Sequence, residues 1–221
     1  GEERMVKIID SYDGEVRFID SELKRLHDYF NRRGLNRNSL WIITSDHGEG
    51  LGNHDWIEHS KYLYNEQLHV PLIFYAPGLI NPSVNREISV SLTDIFPTIL
   101  DLLKIEKTDS DNAVEGISLA PGVLNPASAG PASPRQREEV FAQRREYNYD
   151  ENPDDLISPR SGYSGQSYCL FNRRYKLIFR SAGEDELFDL INDPGELHNL
   201  IGSGLPAENE LYRKLTRKVE I

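Results

Sequence analysis

The sequence is poor in cysteine, in positive charge and in long apolar runs. The single cysteine, Cys169, excludes a disulfide within the chain. No run approaches the roughly 18 apolar residues of a membrane-spanning helix, so we expect no transmembrane segment. The 25 Lys and Arg residues face 36 Asp and Glu residues, and the formal net charge is −11. A general nucleic-acid binder needs a basic face for the phosphates, so this class of protein is excluded.

What remains is the composition of a globular protein. Hydrophobic residues make up 38% and charged residues 28% of 221 positions, which is enough chain for one large domain or two modest ones. The opening "GEERMVKIID" has no signal-peptide pattern and predicts a helix without an N-terminal cap. We therefore interpret the chain as the interior of a longer one, and its compartment and oligomeric state stay open.

The first 124 residues alternate between helical and strand patterns. Apolar residues between Met5 and Phe30 recur every three or four positions, which predicts a long helix with one buried stripe, ended at Gly34. The runs "SLWIITSD" and "VPLIFYAPG" predict two buried strands. The segment "SLTDIFPTILDLLKI" predicts a helix capped by Ser91 or Thr93. This alternation favours an α/β fold with a mostly parallel sheet flanked by helices.

Beyond that region the patterning changes. Residues 125–137 are rich in Pro, Ala, Ser and Gly and predict a linker. Residues 138–221 contain three antiparallel-type strand segments, with a hairpin turn near Asn172 and Arg173, and then a polar helix. We expect 1–124 to be part of an α/β catalytic domain and 138–221 to be a small antiparallel α+β subdomain.

The connection between the two predicted strands concentrates the chemistry. Asp46 and His47 follow the first strand directly, at the edge where open α/β sheets place their ligands. A carboxylate and an imidazole on adjacent residues can both reach one cation, so they are the candidate metal ligands. The alternative is that Asp46 only caps the following turn. Tight turns and the close approach of a ligand are allowed by the three glycines that follow, Gly48, Gly50 and Gly52.

Further along the same connection lie three more basic side chains. His59 and Lys61 are candidates to neutralise a bound oxyanion or to protonate a leaving group. Lys61 could equally be a solvated surface lysine. His54 is better explained as a histidine that packs or hydrogen-bonds within the loop.

The order of these features resembles the sulfatase branch of the alkaline phosphatase superfamily. The similarity covers nearly the whole chain, apart from the linker and the region that follows strand "EVFAQRREYNY". The segments that carry it, in chain order, are "YDGEVRFIDSELKRL", "SDHGE", "LGNH", "LYNEQLHVPLIFYAPG", "VSLTDIFPTILDLLKI", "VEGISLAP" and "YKLIF…ELFDLINDPGELHNL".

This resemblance implies a hydrolase of sulfuric esters with an alkaline-phosphatase-like fold. It implies that Asp46 and His47 bind a divalent metal, calcium in the first place, with Mn²⁺ or Zn²⁺ as alternatives because His47 replaces the commoner Asn. A Lys or His ahead of the Tyr-x-Glu segment contacts the sulfate in this family, which assigns that role to His59 first and to Lys61 beside it. The implied substrate is a sulfate-ester small molecule or a sulfated glycan.

The sequence departs from the family pattern in its nucleophile. Sulfatases use a formylglycine made from a Cys/Ser-x-Pro-x-Arg motif, and no such motif occurs in these 221 residues. Cys169 lies in a strand pattern and is better explained as a core residue. We expect the nucleophile upstream, and the isolated chain to be inactive. Two alternatives stay open: a phosphodiester or phosphonate monoester hydrolase of the same superfamily, and a non-catalytic relative.

Overall fold

The structure is a computed structural model that describes residues 2–84, 88–106, 114–125, 137–145 and 165–219. Most of the predicted linker therefore lies outside the described residues, and the domain boundaries stay predictions. The helices are α1 (Glu2–Arg32), α2 (Asn65–Leu68), α3 (Ile95–Leu103), α4 (Ala120–Leu124) and α5 (Pro206–Val219). The strands are β1 (Trp41–Thr44), β2 (Gly50–Leu51), β3 (Ile57–Glu58), β4 (Leu72–Tyr75), β5 (Val140–Arg144), β6 (Ser167–Phe171), β7 (Tyr175–Arg180) and β8 (Glu186–Asp189).

The first helix has the predicted extent but not the predicted burial. It ends just before Gly34, whose φ of +69° lies in the left-handed region that glycine tolerates. Its last turns pack on β1, where Phe30 and Trp41 stand edge to face at 5.0 Å. Phe18 and Ile19, halfway along, are 66% and 57% exposed. The expectation of one buried stripe is thus wrong for the middle of α1, because no described residue covers it there.

The two strands that flank the loop, predicted from "SLWIITSD" and "VPLIFYAPG", pair with each other. They run antiparallel, with Trp41 opposite Tyr75 and Thr44 opposite Leu72. The described part of this sheet is therefore not parallel. A parallel pair needs a crossover to the far end of the sheet, usually through a long helix. The only α-helix in the connection between β1 and β4 is the four-residue α2. The connection therefore returns to the same end of the sheet at which β1 ends.

A buried carboxylate organises the start of α3. Ser91 caps the 3-10 turn Leu92–Asp94 that leads directly into α3, since its side chain accepts from Thr93 N and its backbone N–H donates to Asp94 Oδ2 at 2.8 Å. Asp94 is 1% exposed and also accepts from Ile117 N at 2.7 Å and from Arg137. These bonds attach two later segments of the chain to the first turn of the helix. The predicted cap at Ser91 is confirmed.

The second sheet is antiparallel in the order β5-β6-β7-β8, as expected for the carboxyl-terminal region. The hairpin between β6 and β7 turns at Asn172, whose N–H donates to Tyr175 O at 3.0 Å. One face packs against α5 through Leu211 and Leu215. Cys169 is fully buried on the other face, and this burial raises the pKa of its thiol to about 12. Its prediction as a core residue is confirmed.

The face of the second sheet that holds Cys169 packs against the loop between β1 and β4. Leu63 and Tyr64 from that loop join Cys169, Ile178 and Phe188 in one buried cluster. The two sheets are therefore connected through the loop that carries the candidate site. Within the described ranges, none of the helices combines the length and the apolar character needed to cross a membrane.

Candidate metal and anion site

The site is built on residues 45–71, which we call the site loop. Because Thr44 pairs with Leu72, the loop begins and ends at the same end of the β1–β4 pair. Within it, β2 and β3 form a small ribbon in which Gly50 is opposite Glu58. This ribbon folds the later part of the loop back over its start. His47 and His59 are brought together in this way.

Asp46 and His47 lie at the carboxyl end of β1, where they were predicted. The Asp46 side chain is 88% exposed and that of His47 is 44% exposed. Asp46 Oδ1 accepts a hydrogen bond from His47 N at 3.0 Å, so the carboxylate does cap the turn. This bond leaves the carboxylate open to solvent, and capping and metal binding are compatible at this position.

The orientation of the His47 ring follows from one hydrogen bond. Its Nδ1 is 2.8 Å from Gly48 O, and a carbonyl only accepts, so Nδ1 carries the proton in this arrangement. The lone pair of the neutral ring is then on Nε2, which lies 3.8 Å from Asp46 Oδ1. This separation is below twice an ordinary metal–ligand distance of roughly 2.0–2.4 Å, so one cation can contact both atoms.

His59 stands beside this pair. Its ring stacks on that of His47 with centroids 4.3 Å apart and planes 20° from parallel. Its Nδ1 lies 3.1 Å from Glu49 Oε2, and its side chain is 46% exposed. Sequence reasoning missed Glu49, although its place two residues after His47 in "SDHGE" was visible. The carboxylate fixes the edge of the imidazole, so the opposite nitrogen is turned away from Glu49.

Lys61 does not share the exposure of the histidines. It is 4% exposed, and its ammonium lies 4.1 Å from the centre of the Trp56 ring and 5.5 Å from that of Tyr62. A cation over aromatic rings is stabilised where it is desolvated. The reading of Lys61 as an ordinary solvated lysine is therefore wrong, and it is less accessible than His59 to an anion from solvent.

The backbone of the site loop leaves no room for a side chain at two of its glycines. A Cβ on Gly48 would stand 2.0 Å from Glu66 O, and one on Gly50 would stand 2.8 Å from Glu58 O. Gly48 N also donates to Gln67 O at 2.8 Å. The close approach predicted for a ligand is thus made by the loop's own backbone.

His54 is a structural histidine, as expected. Its Nδ1 lies 2.7 Å from Glu66 Oε1 and its Nε2 lies 3.0 Å from Glu196 O, while its ring stacks on Tyr64 at 3.7 Å. Burial alone would lower the pKa of His54, but the hydrogen bonds to Glu66 and Glu196 outweigh it and raise the pKa above 6.5. Both ring nitrogens face acceptors, which favours the imidazolium form.

Within the described part of the chain, Asp46 and His47 are the two candidate ligands for a metal. Residues 2–84, 88–106, 114–125, 137–145 and 165–219 contain no group of three or more His, Cys, Asp or Glu side chains placed to hold an ion. Asp46 and His47 fit a divalent cation by donor chemistry and by their separation, but they are an incomplete coordination shell.

Comparison with known proteins identifies the setting of this loop. The sequence model of the family Sulfatase matches residues 1–105, which include Asp46, His47, His59 and Lys61. An arylsulfatase of Clostridium perfringens is 29% identical over 196 residues, which are 87% of this chain and 36% of that protein. The chain thus spans about a third of the length of this relative.

Solved structures support the fold over most of the chain. A protein in complex with its substrate D-glucosamine-2-N,6-O-disulfate superposes with a TM-score of 0.71 at 26% identity, covering 93% of this chain and 39% of that one. A phosphonate monoester hydrolase from Silicibacter pomeroyi superposes with a TM-score of 0.68 at 28% identity, covering 91% and 38%. The alkaline-phosphatase-like α/β fold with an antiparallel carboxyl-terminal sheet is confirmed.

Gly48→Ala should destabilise the protein. The new Cβ would overlap Glu66 O, and relieving such a clash typically costs about 1–3 kcal/mol in the free energy of unfolding. Gly14→Ala is the matched control, because a Cβ there meets nothing within 4 Å and the residue lies inside α1. That control should stabilise by roughly 0.5–1 kcal/mol. Urea unfolding measures both, and equal effects of the two variants would contradict the packing described for Gly48.

The stability that His54 contributes should depend on pH. Its folded pKa is raised, so the contribution is complete below the unfolded pKa of about 6.5 and is lost as the pH rises through the folded value. His54→Asn removes the imidazole and tolerates the left-handed φ of +54° at this position. The difference in unfolding free energy between His54→Asn and wild type should be largest near pH 6. It should decrease toward pH 9, where His54 of the wild type loses its proton. The exposed His198 provides the control His198→Asn, and a pH-independent difference for His54→Asn would contradict the charged pair.

Proposed function

We propose that this chain, whose residues 1–105 match the Sulfatase family model, supplies part of the active site of a metal-dependent sulfatase, which hydrolyses sulfuric esters. The observation that carries the proposal is the arrangement at the end of β1. Asp46 Oδ1 and His47 Nε2 face each other at 3.8 Å, and the His59 ring is stacked directly beside them. A cation site and an anion contact are thus adjacent on one exposed edge.

Asp46 and His47 are proposed to hold a divalent cation, with Ca²⁺ first and Mn²⁺ or Zn²⁺ as alternatives. The bound ion would polarise the ester oxygens and offset the charge that develops on them. Asp46 brings a formal negative charge, and the His47 ring brings a neutral nitrogen whose direction is set by Gly48 O. The hydrogen bond at the far side of a ligating imidazole is the usual way in which proteins fix its orientation.

His59 is proposed to contact an oxygen of the sulfate group. Glu49 accepts from Nδ1 at 3.1 Å, so Nε2 is the nitrogen turned toward a ligand, and it donates to an anion when the ring carries both protons. Stacking on His47 keeps the ring next to the metal ligands, where the sulfate would bridge the two functions. Lys61 is the alternative contact, and its burial against Trp56 makes this assignment second to that of His59.

The remaining machinery is expected outside these 221 residues. Sulfatases in general take their formylglycine nucleophile from a Cys/Ser-x-Pro-x-Arg motif, which this sequence lacks. Cys169 cannot substitute, because it is fully buried and its thiol pKa is raised to about 12. We therefore assign the nucleophile and further metal carboxylates to an upstream part of the parent enzyme.

The substrate class is proposed as a sulfate-ester small molecule or a sulfated glycan. The solved relative bound to D-glucosamine-2-N,6-O-disulfate supports a sulfated sugar as one member of this class. A phosphonate monoester or phosphodiester is the second candidate, favoured by the similarity to the Silicibacter pomeroyi phosphonate monoester hydrolase. Relative kcat/KM for an aryl sulfate and for a phenyl phosphonate of matched leaving group decides between the two. A parent enzyme that hydrolyses neither ester would favour the non-catalytic alternative.

Asp46→Ala in the full-length parent should abolish both bound metal and turnover, because it removes the only carboxylate that faces His47 Nε2 among the described residues. Elemental analysis of the dialysed protein measures the metal, and hydrolysis of an aryl sulfate measures turnover. Asp13→Ala is the matched control, since it removes an exposed carboxylate from α1 and should change neither quantity. Metal retained at the wild-type level by Asp46→Ala would overturn the ligand assignment.

His59→Ala should lower kcat/KM while leaving the bound metal in place. One charge-assisted hydrogen bond to the anion is worth about 1.5–3 kcal/mol, which corresponds to roughly a 10- to 150-fold loss. Lys61→Ala is the parallel variant and should have the smaller effect on kcat/KM. If His59→Ala strips the metal, His59 is a ligand and the anion contact falls to Lys61. If neither variant changes kcat/KM, both residues are outside the anion site.

A further inference from the structure

Glu196 connects the second sheet to the site loop through three of its atoms. Its Oε2 accepts from Asn65 N at 2.6 Å, its Oε1 forms an ion pair with Lys176 Nζ at 2.6 Å, and its main-chain oxygen faces His54 Nε2 at 3.0 Å. Lys176 also donates to Asn65 Oδ1 at 3.1 Å. The segment "NDPGE" therefore ends in a residue that contacts both ends of the stretch from His54 to Asn65.

The environment of Glu196 shows how firmly it is held. Its side chain is 1% exposed and that of Lys176 is 0% exposed, so neither charge has solvent to replace its partner. The backbone at Glu196 has a φ of +56°, which is unfavourable for a residue with a side chain. Asp193 stabilises this turn by accepting from Leu197 N and His198 N. Surrounding contacts thus fix Glu196 in a conformation that it would not adopt by itself.

The helix α2, capped by Glu196, is in turn the support of the site loop. Gly48 N donates to Gln67 O at 2.8 Å, and Gln67 Nε2 donates to Glu58 O at 3.1 Å. One residue of α2 therefore holds the backbone next to His47 and the backbone next to His59. Gly48 has no room to move toward Glu66 O, since even a Cβ would stand 2.0 Å from that oxygen. The position of α2 determines where Gly48 lies.

The position of Gly48 decides the direction of the metal ligand. Its carbonyl is the acceptor for His47 Nδ1 at 2.8 Å, and this bond turns Nε2 toward Asp46 Oδ1. Hydrogen bonds and the backbone of α2 thus connect Glu196 to His47. Glu196 bonds Asn65, the backbone of α2 leads from Asn65 to Gln67, and Gln67 bonds Gly48, whose carbonyl holds the His47 ring.

We propose that Glu196 is a positioning residue for the metal site, which holds α2 through the Asn65 N–H and so sets the orientation of His47. The proposal rests on the proposed function for its metal readout. Its physical content is that the bond from Asn65 N, rather than the buried charge pair as such, is what the site requires. Glu196 then acts on the metal site through α2 and the His47 ring.

The charge pair and the helix cap can be separated by two variants of the full-length protein. Glu196→Gln leaves the Lys176 ammonium buried without its counter-charge and should destabilise the whole protein. The double variant Glu196→Met/Lys176→Met removes both charges with side chains of similar length, so its urea unfolding midpoint should lie close to that of wild type. It lacks both the acceptor for Asn65 N and the Lys176 donor to Asn65 Oδ1, whereas Glu196→Gln keeps an amide oxygen that can accept from Asn65 N and should therefore keep the wild-type Kd for the metal. Leu215→Ala is the control for destabilisation alone, because Leu215 lies in the cluster under α5.

Metal affinity is measured by titrating Ca²⁺ and, separately, Mn²⁺ into chelator-treated full-length protein. The double variant should bind the tighter of the two ions about 10- to 100-fold more weakly, which is the usual effect of losing a partner behind a metal ligand. Leu215→Ala should keep the wild-type Kd despite its lower unfolding midpoint. A wild-type Kd in the double variant would overturn the proposal, and so would an equal weakening in Leu215→Ala.

A second readout needs no metal. Hydrogen–deuterium exchange of the metal-free protein follows peptides that cover residues 46–52, which include the Gly48 N–H bonded to Gln67 O. The double variant should exchange faster there than wild type, whereas Leu215→Ala should not. If Asp46→Ala retains wild-type metal binding, the metal assignment fails, and this exchange result alone decides whether Glu196 positions the loop. Unchanged exchange in the double variant overturns the positioning role.

Discussion

The buried Glu196 carboxylate ties the site loop to the second sheet, because it accepts from the Asn65 N–H and pairs with the Lys176 ammonium. Neither charge is accessible to water, so each stabilises the other and both must stay where they are. Lys176 belongs to a central strand of the second sheet, while Glu196 caps the short helix α2 of the site loop. A loop of mostly irregular structure is thereby attached to a rigid sheet. Such a support is what a metal site needs from its surroundings.

The side chains of the candidate site are exposed to solvent, while hydrogen bonds restrict their orientations. Asp46 projects into solvent, yet the backbone that carries it is bonded within its own turn. The His47 and His59 rings are each held at one nitrogen, by Gly48 O and by Glu49, so that the second nitrogen of each can serve a ligand. The side chains proposed to bind a metal and an anion are thus accessible, while the residues that support them are buried.

Sequence reasoning located the site loop because its signals are local. A short apolar run before Asp46 and His47 predicts a strand end, and glycines after it predict a tight turn. The order of several such segments then carried the resemblance to sulfatases. Periodicity likewise gave the bounds of α1 and the core position of Cys169. The direction of the β1–β4 pair was not readable, because strand pairing depends on where the whole connection returns and not on the strands' own residues.

The sequence by itself determined the resemblance to sulfatases, the strand-loop-strand unit and the residue types available for a metal and an anion. The tertiary structure alone decided which of these residues meet. It stacked His59 on His47, buried Lys61 against Trp56, and gave the loop glycines a packing role. It also revealed the hydrogen bond from the Asn65 N–H to Glu196, two residues that are 131 positions apart in the sequence. Contacts between residues so distant in sequence depend on how the second sheet packs against the site loop, and no local sequence pattern predicts them.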